Sequence, residues 1–172
     1  IVKNRSQVFG YYDHNMMVMF ERTKDHIESP SEYIPRQKLW YIRAKEVVVS
    51  TGSIERPLVF GNNDRPGILL ASAAKEYIKK YGVLIGKKPI IFTNNDSAYD
   101  TAIEFKKNGV NPLVIDVRKD SESTIVKEAK DLGINIKFSH AVANTKGYFK
   151  VNSATVGKLS NDRSGYENLE NI

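Results

Sequence analysis

Glu46-Val47-Val48-Val49-Ser50-Thr51-Gly52 is the stretch from which the fold class of this chain can be predicted. Consecutive β-branched residues are typical of a short strand that is buried on both faces, as the strands of a parallel sheet are. Small residues follow, and at the carboxyl end of such a strand they let the backbone approach a bound ligand. We therefore expect Val47, Val48 and Val49 to form the last parallel strand of a nucleotide-binding unit, with Ser50-Thr51-Gly52 at its ligand edge.

The residues before this stretch predict a small antiparallel sheet. Residues 1–23 contain two apolar runs separated by the turn-forming Tyr11-Tyr12-Asp13-His14-Asn15, which indicates an antiparallel pair. Residues 24–37 are polar and read as an exposed loop, and residues 38–44 predict a further strand. This order resembles the β-meander of a dinucleotide-binding domain of the glutathione-reductase type.

The residues after this stretch predict a second unit with the Rossmann-like order β-α-β-α-β. Residues 53–67 are rich in turn formers and predict a connection, and apolar spacing predicts a helix over 68–81. Strands and helices then alternate, as in a doubly wound sheet: strands at 89–93, 113–116 and 134–138, and helices at 98–108 and 123–132. We predict an α/β fold with a partial first dinucleotide domain, residues 1–67, and a second domain, residues 68–172.

The end of the chain gives a weaker pattern. Residues 148–151 and 154–156 alternate and suggest a hairpin, whereas the residues after Lys158 are polar, without clear period, and predict a frayed tail.

The second unit lacks the glycines of a dinucleotide-binding fingerprint. In the motif G-x-G-x-x-G/A, which follows a strand and opens a helix, the middle glycine lets the pyrophosphate approach the backbone. Thr93, Asn95 and Ala98 stand at the three positions here, and only Ala98 is an accepted substitute. Asp96 places a negative charge at the helix N-terminus, where it caps the helix but repels an anion.

Two interpretations of this degenerate motif stay open. The first is that the unit keeps the fold and has lost nucleotide binding. The second is that the polar side chains of Asn94-Asn95-Asp96 line a passage or bind another molecule. Asp116 lies near the position of a ribose-binding acid, and without the glycines it is better explained as an acid at the end of a strand.

Composition excludes several classes of protein. The chain has 172 residues, a formal net charge of +6 and no cysteine, so disulfides and thiolate metal sites are excluded and a cytoplasmic location is compatible. Basic residues are interspersed with acids, which favours a solvated surface over a nucleic-acid interface. No apolar run approaches the roughly 20 residues of a membrane span. The chain opens at Ile1 without a strand–glycine loop–helix, which predicts a fragment of a longer polypeptide.

No catalytic group can be assigned from the residues. His14, His26 and His140 share no spacing, which disfavours a metal site or a nucleophile–base pair. For Glu55 and Arg56 we expect an ion pair that pins the connecting loop.

Four segments together resemble a known family: Phe9–Asp13, Ser50–Phe60, Asn63–Gly67 and Phe92–Tyr99. They are similar to the alpha subunits of heterotetrameric sarcosine oxidase, over roughly residues 1–150. The Thr-Gly-x-x-Glu-Arg-Pro part is shared with related amine- and opine-oxidising subunits. The Phe-Thr-Asn-Asn-Asp-Ser-Ala-Tyr part is more particular to the sarcosine oxidase group.

The resemblance implies a function for the parent protein. That family oxidatively demethylates sarcosine to glycine, reduces oxygen to hydrogen peroxide and passes the one-carbon unit to tetrahydrofolate. It implies NAD in the full-length alpha subunit, FAD and FMN in the holoenzyme, and beta, gamma and delta subunits as partners, with no nucleic acid and no membrane. This fragment is expected to contribute to NAD binding and to the channelling of intermediates, and to have no activity alone.

The resemblance also implies which residues meet the cofactor. Val8 matches the strand residue whose backbone meets the adenine, and Ser50, Thr51 and Gly52 match the strand end that passes close to the dinucleotide. No catalytic and no metal-binding residue is implied. The alternatives are a subunit of a related FAD- or NAD-dependent opine, proline or cyanide-forming dehydrogenase, and a non-catalytic Rossmann-like scaffold module.

Overall fold

A computed structural model describes residues 1–172, which divide into two compact units. The first unit comprises residues 1–53 and the second comprises residues 54–172. The connecting segment 54–67 belongs to the second unit by its contacts, while the domain boundary after residue 67 stays a prediction about the parent protein.

The first unit is an antiparallel sheet of three strands in the order β1-β2-β3. Its strands are β1 (Ser6–Tyr12), β2 (Met16–Arg22) and β3 (Gln37–Arg43), which confirms the predicted pair and the strand that follows the polar loop. Val18 and Met19 of the central strand are buried. The indole Nε1 of Trp40 donates to the Glu21 carboxylate at 2.8 Å, so the apolar ring lies on the sheet with its polar atom satisfied.

The predicted strand at residues 47–49 is wrong for this chain. These residues form no regular structure, and the side chains of Val48 and Val49 are 89% and 69% exposed. A buried parallel strand needs a parallel neighbour to accept its hydrogen bonds and a layer on each face. The sheet of the first unit is entirely antiparallel, so residues 1–53 supply neither a parallel neighbour strand nor the two covering layers.

The second unit contains the expected parallel sheet, with strands in the order β4-β5-β6. One helix precedes this sheet and the other two lie between its strands along the chain, which confirms the predicted β-α-β-α-β order: α1 (Ala71–Tyr81), β4 (Ile90–Thr93), α2 (Tyr99–Lys107), β5 (Leu113–Asp116), α3 (Thr124–Asp131) and β6 (Asn135–Phe138). Helix α1 ends at Gly82, whose φ of 64° is the left-handed conformation that glycine adopts without strain.

The two faces of the parallel sheet belong to different apolar clusters. Ile91 and Val114 pack with the helices, in a cluster that includes the fully buried Phe105 and Val126. Ile115, which follows Val114 along β5, instead packs with residues of a second sheet. Successive side chains of a strand point to opposite faces, so β4 and β5 each supply both clusters and the unit has three layers.

The second sheet is antiparallel, in the order β7-β8-β9, and covers the face of the parallel sheet opposite the helices. Its strands are β7 (His140–Lys146), β8 (Ser153–Leu159) and β9 (Tyr166–Asn171). The predicted hairpin strand at residues 148–151 is wrong, because these residues form the loop between β7 and β8. The predicted frayed tail is also wrong, because β9 pairs with β8 and so satisfies backbone groups despite its polar sequence.

Glu55 fastens the connecting segment to a helix. Its carboxylate accepts the backbone N–H groups of Ala71 and Ser72 at 3.0 and 2.8 Å, which are free donors at the N-terminus of α1. The expected ion pair with Arg56 is absent among the ion pairs of the chain, because the helix N-terminus attracts the negative charge instead. Partial burial raises the pKa of Glu55, but the hydrogen bonds from Ser72 and Ala71 outweigh it and hold the pKa below its usual value.

Glu55→Gln is expected to remove about 1 kcal/mol of stability at pH 7, because the neutral amide interacts less well with the helix N-terminus. A carboxyl whose pKa is lower in the folded state stabilises the fold above its unfolded pKa, near 4.5 here, and this contribution disappears as the pH falls through the folded pKa. Urea unfolding at pH 7 and pH 3 measures the difference.

The matched control is Glu76→Gln, an exposed acid on the same helix. We expect a small effect at both pH values for this control. A Glu55→Gln loss that is as large at pH 3 as at pH 7 contradicts the capping role.

Candidate functional site

The candidate site lies where β4 and β5 end. Thr93 and Asp116 are the last residues of these neighbouring strands and are paired in register. In open α/β sheets, ligands bind beyond the carboxyl ends of the strands. The chain after β4 enters α2 through a short 3₁₀ turn, Asp96–Ala98, which is the strand–turn–helix context that the degenerate motif predicted.

Side chains fill the place of the missing glycines. Thr93 is buried, and its hydroxyl donates to the Asn95 carbonyl at 2.8 Å. The Asn95 side-chain oxygen accepts the backbone N–H of Ser97 at 2.9 Å and its hydroxyl at 2.6 Å. The side chain of Asn95 therefore uses a backbone donor of the turn, where a dinucleotide phosphate would need bare backbone.

Asp116 is not available to a ribose. Its side chain is fully buried. It accepts the Tyr99 hydroxyl at 2.7 Å, the Arg118 backbone N–H at 2.9 Å and the Arg118 Nη2 at 2.7 Å. Internal donors thus satisfy both carboxylate oxygens, and a bound sugar would have to displace a charged partner from a buried site.

Arg118 links the strand end to the turn. Its Nη1 donates to the Asp96 carboxylate at 2.7 Å, and its guanidinium also contacts Asp116. The hydrogen bond from Arg118 is the main reason that the pKa of Asp96 lies below its usual value. Burial, and then the hydrogen bond to Asp116, raise the pKa of the Tyr99 hydroxyl far above its usual range. We name these four residues, Asp96, Tyr99, Asp116 and Arg118, the clamp.

The clamp does not fit a dinucleotide. It contains two carboxylates and one guanidinium, so with Tyr99 neutral its net charge is negative. A negative cluster beside the helix N-terminus repels the pyrophosphate that this place binds in glycine-containing relatives of the fold. Sequence reasoning found Asp96 and Asp116 but missed Arg118. The available signal was its position two residues after Asp116, within reach of the same strand edge.

The site residues expected in the first unit lie on its surface. Val8 pairs with Met19 in the sheet and is 49% exposed. Ser50, Thr51 and Gly52 are exposed, lie outside regular structure and take part in no strand pairing. No strand pairing joins them to Val8, and their role in cofactor binding stays a prediction.

No cluster of acidic and histidine side chains is arranged to hold a metal ion. The ring Nδ1 of His140, the first residue of β7, lies 2.6 Å from the backbone carbonyl oxygen of Phe138, the last residue of β6. No helix is both long and apolar enough to cross a membrane.

Comparison with known proteins places these features in a family context. No family model matches the chain. The sarcosine oxidase alpha subunit of Corynebacterium sp. (strain U-96) is 39% identical over 143 residues, 83% of this chain. That of Corynebacterium sp. (strain P-1) is 38% identical over 162 residues, 92% of this chain.

This chain is similar to sarcosine oxidase alpha subunits.

The sarcosine oxidase alpha subunit of Rhizobium meliloti (strain 1021) is also similar, with 43% identity over 111 residues, 64% of this chain. The similarity confirms the resemblance carried by the quoted segments. The chain spans only a small part of these sarcosine oxidase alpha subunits, 15%, 17% and 11% of their lengths.

Solved structures confirm the fold class. The Lactococcus lactis thioredoxin reductase has a TM-score of 0.59 at 13% identity, over 97% of this chain and 49% of that one. The T. acidophilum thioredoxin reductase has a TM-score of 0.57 at 19% identity, over 77% of this chain and 42% of that one. The fold shared with these reductases is the Rossmann-like α/β fold that the sequence predicted.

Proposed function

We propose that this chain is a central segment of an oxidoreductase subunit of the sarcosine oxidase kind. The observation that supports this most strongly is the 38% identity with a sarcosine oxidase alpha subunit over 162 residues. The parent enzyme then demethylates sarcosine to glycine, reduces oxygen to hydrogen peroxide and transfers the one-carbon unit to tetrahydrofolate.

Within that enzyme, residues 54–172 act as a scaffold without a dinucleotide. The turn and the clamp both support this role, because the Asn95 side chain caps the turn and Arg118 of the clamp binds the Asp116 carboxylate. Residues 1–53 contribute the wall of an NAD site in the full-length subunit, with Val8, Ser50, Thr51 and Gly52 beside the cofactor. The segment contributes to cofactor binding and channelling rather than to chemistry.

The remaining cofactors and partners follow from the family. FAD and FMN belong to the holoenzyme, tetrahydrofolate is a co-substrate, and beta, gamma and delta subunits complete the cytoplasmic oxidase. The competing candidate is a subunit of an opine, proline or cyanide-forming dehydrogenase, which shares the Thr51-Gly52-x-x-Glu55-Arg56-Pro57 segment.

Activity of the parent enzyme separates these candidates. We expect the full-length subunit, purified with the subunits encoded beside it, to produce hydrogen peroxide when sarcosine is added, as measured with a peroxidase-coupled assay. Formaldehyde should fall and methylenetetrahydrofolate should rise when tetrahydrofolate is present. Oxidation of proline or an opine without peroxide formation would instead establish the dehydrogenase.

Nucleotide binding tests the proposal that residues 54–172 form a scaffold and residues 1–53 form part of an NAD site in the full-length subunit. We expect 1 mM NAD to leave the unfolding midpoint of the 172-residue chain unchanged, because the clamp closes the only complete Rossmann-like unit. A ligand at 100 times its Kd stabilises a protein by about 2.7 kcal/mol, so binding with a Kd near 10 µM would be visible in a thermal melt. The full-length subunit should carry NAD, and a stabilising shift in the 172-residue chain would contradict the scaffold role.

A further inference from the structure

The loop between β7 and β8 presents two aromatic rings to solvent. Tyr148 and Phe149 are 89% and 85% exposed. Their ring centroids are 4.7 Å apart and the rings meet edge to face at 82°. We name residues 147–152 the aromatic loop. Single exposed apolar side chains are common on proteins, but two adjacent rings that contact each other at a loop tip form a small apolar patch.

The base of the aromatic loop is held in place. The Val151 N–H donates to the Pro66 carbonyl at 2.8 Å, and the Asn152 N–H donates to the Lys146 carbonyl at 2.9 Å. The Gly147 carbonyl accepts a hydrogen bond from Arg65. The loop is therefore attached both to its own hairpin and to the connecting segment.

Gly147 fixes the path of the loop. Its φ is 151°, and a Cβ at this position would collide with the carbonyl oxygen of Lys150. Only glycine allows this turn without rearrangement. Because the backbone of the loop is held at both ends, binding has little backbone left to order, which lowers its entropic cost.

The residues that flank the rings in sequence carry positive charge. Lys146 and Lys150 flank the two aromatic residues in sequence, and neither takes part in an ion pair. A rigid aromatic centre with a basic rim is complementary to an apolar groove bordered by Asp and Glu. Aromatic anchors in the centre and charged pairs at the rim are the usual arrangement of a protein–protein interface.

We propose that the aromatic loop docks into an acid-bordered apolar groove of a second polypeptide. This inference rests on the proposed function, in which that polypeptide is another subunit of the oxidase. Tyr148 and Phe149 supply the buried centre of the contact. Lys146 and Lys150 supply attraction at its border.

Three other occupants fit less well. A lipid surface needs a larger apolar area than one loop tip supplies, since a single weak anchor gives only marginal binding. A single-stranded nucleic acid is bound along a positively charged groove that follows its backbone, and two lysines at one loop do not form such a groove. A second copy of this chain would bring together two surfaces of the same sign, on chains of net charge +6.

Removal of the rings tests the proposal in the assembled enzyme. We expect Tyr148→Ser/Phe149→Ser in the full-length subunit to raise the Kd for its partner subunit roughly tenfold or more, as truncated interface anchors do. Analytical ultracentrifugation measures that Kd. The matched control is Tyr33→Ser, since Tyr33 is 93% exposed but stands apart from any aromatic pair, and its effect should stay within about twofold.

Two further variants separate the parts of the contact. Lys146→Glu/Lys150→Glu should slow association and reverse its dependence on salt, because salt then screens repulsion instead of attraction. Gly147→Ala keeps both rings but forces the loop to another path, and should also weaken assembly. Circular dichroism checks that each variant subunit is folded, which we expect for the double serine variant because Tyr148 and Phe149 lie in solvent. If that variant unfolds, the rings pack inside the parent subunit and the proposal is overturned.

Each outcome supports or refutes the docking of the aromatic loop. If the wild-type subunits assemble and the double serine variant assembles equally well, the docking loop is refuted and the proposed function stands. If the wild-type subunit binds no other subunit, the proposed function fails and the partner proposed here fails with it. Ring-dependent self-association of the chain, or ring-dependent sedimentation with phosphatidylglycerol vesicles, would assign the loop to another occupant and overturn the proposal.

Discussion

Arg118→Ala is expected to lower the free energy of unfolding by about 3–5 kcal/mol, since it breaks a buried ion pair from one side. The side chain of Asp116 is fully buried, and that of Arg118 is 26% exposed. Alanine removes the guanidinium but leaves the Asp116 carboxylate in the interior with the Tyr99 hydroxyl and a backbone N–H as its remaining donors. The cost is the desolvation of that charge, and urea unfolding at pH 7 measures it.

Two companion variants identify the cause. Lys127→Ala removes an exposed pair with Glu122, whose side chains are 58% and 73% exposed, and should cost less than about 1 kcal/mol. Asp116→Asn/Arg118→Met removes both charges yet keeps an acceptor for Tyr99, and should recover most of the stability lost by Arg118→Ala. An Arg118→Ala effect no larger than that of Lys127→Ala would show that the clamp contributes little to stability.

Phe105→Ala is expected to cost about 3–5 kcal/mol, as the loss of a buried aromatic side chain usually does. Phe105 is 1% exposed and lies in the cluster that joins the helices to the parallel sheet. The helix of which it is part also positions Tyr99 of the clamp. Alanine leaves a cavity at the centre of the second unit, so the midpoint of thermal unfolding should fall by many degrees.

The control for this prediction is Tyr81→Ala, an aromatic truncation at a site that is 64% exposed. Its effect should stay within about 0.5 kcal/mol, because solvent already surrounds most of the ring. Addition of NAD should not rescue Phe105→Ala, since the clamp leaves no site from which the nucleotide could stabilise the unit. Rescue by NAD would contradict the closed site.

The second unit was predictable because its signals are local. Apolar spacing, N-cap residues and helix-ending glycines act within a few residues of one another, and β5 at Leu113–Asp116 follows its prediction closely. The strand predicted at Val47–Val49 failed because its formation depends on neighbouring parallel strands, which a local pattern cannot supply. β9 was missed for the related reason that a polar segment becomes a strand when an edge such as that of β8 is free to pair with it.

The candidate site was predictable in outline only. The altered positions Thr93 and Asn95 were visible in the sequence, and they indicated lost nucleotide binding. The pairing of Asp116 with Tyr99 depends on how a helix and a strand end meet, which no sequence spacing determines, whereas the position of Arg118 two residues after Asp116 was a signal that could have been used. The two aromatic residues of the loop, Tyr148 and Phe149, were also visible in the sequence. Their exposure depends on Gly147 and on the attachment of the loop to Pro66, which the sequence does not show.

The attachment of the connecting segment to β7 has a consequence for the order of folding. Gly61 pairs with the chain near Asn144, and the side chain of Asn62 donates to that of Asn144 across 82 positions of sequence. Closing a loop of that length costs about 4 kcal/mol of chain entropy, beyond a constant term, before any contact compensates for it. The helices and parallel strands form from nearer partners, so the connecting segment is expected to dock late, once β7 and β8 have already formed the surface that receives it.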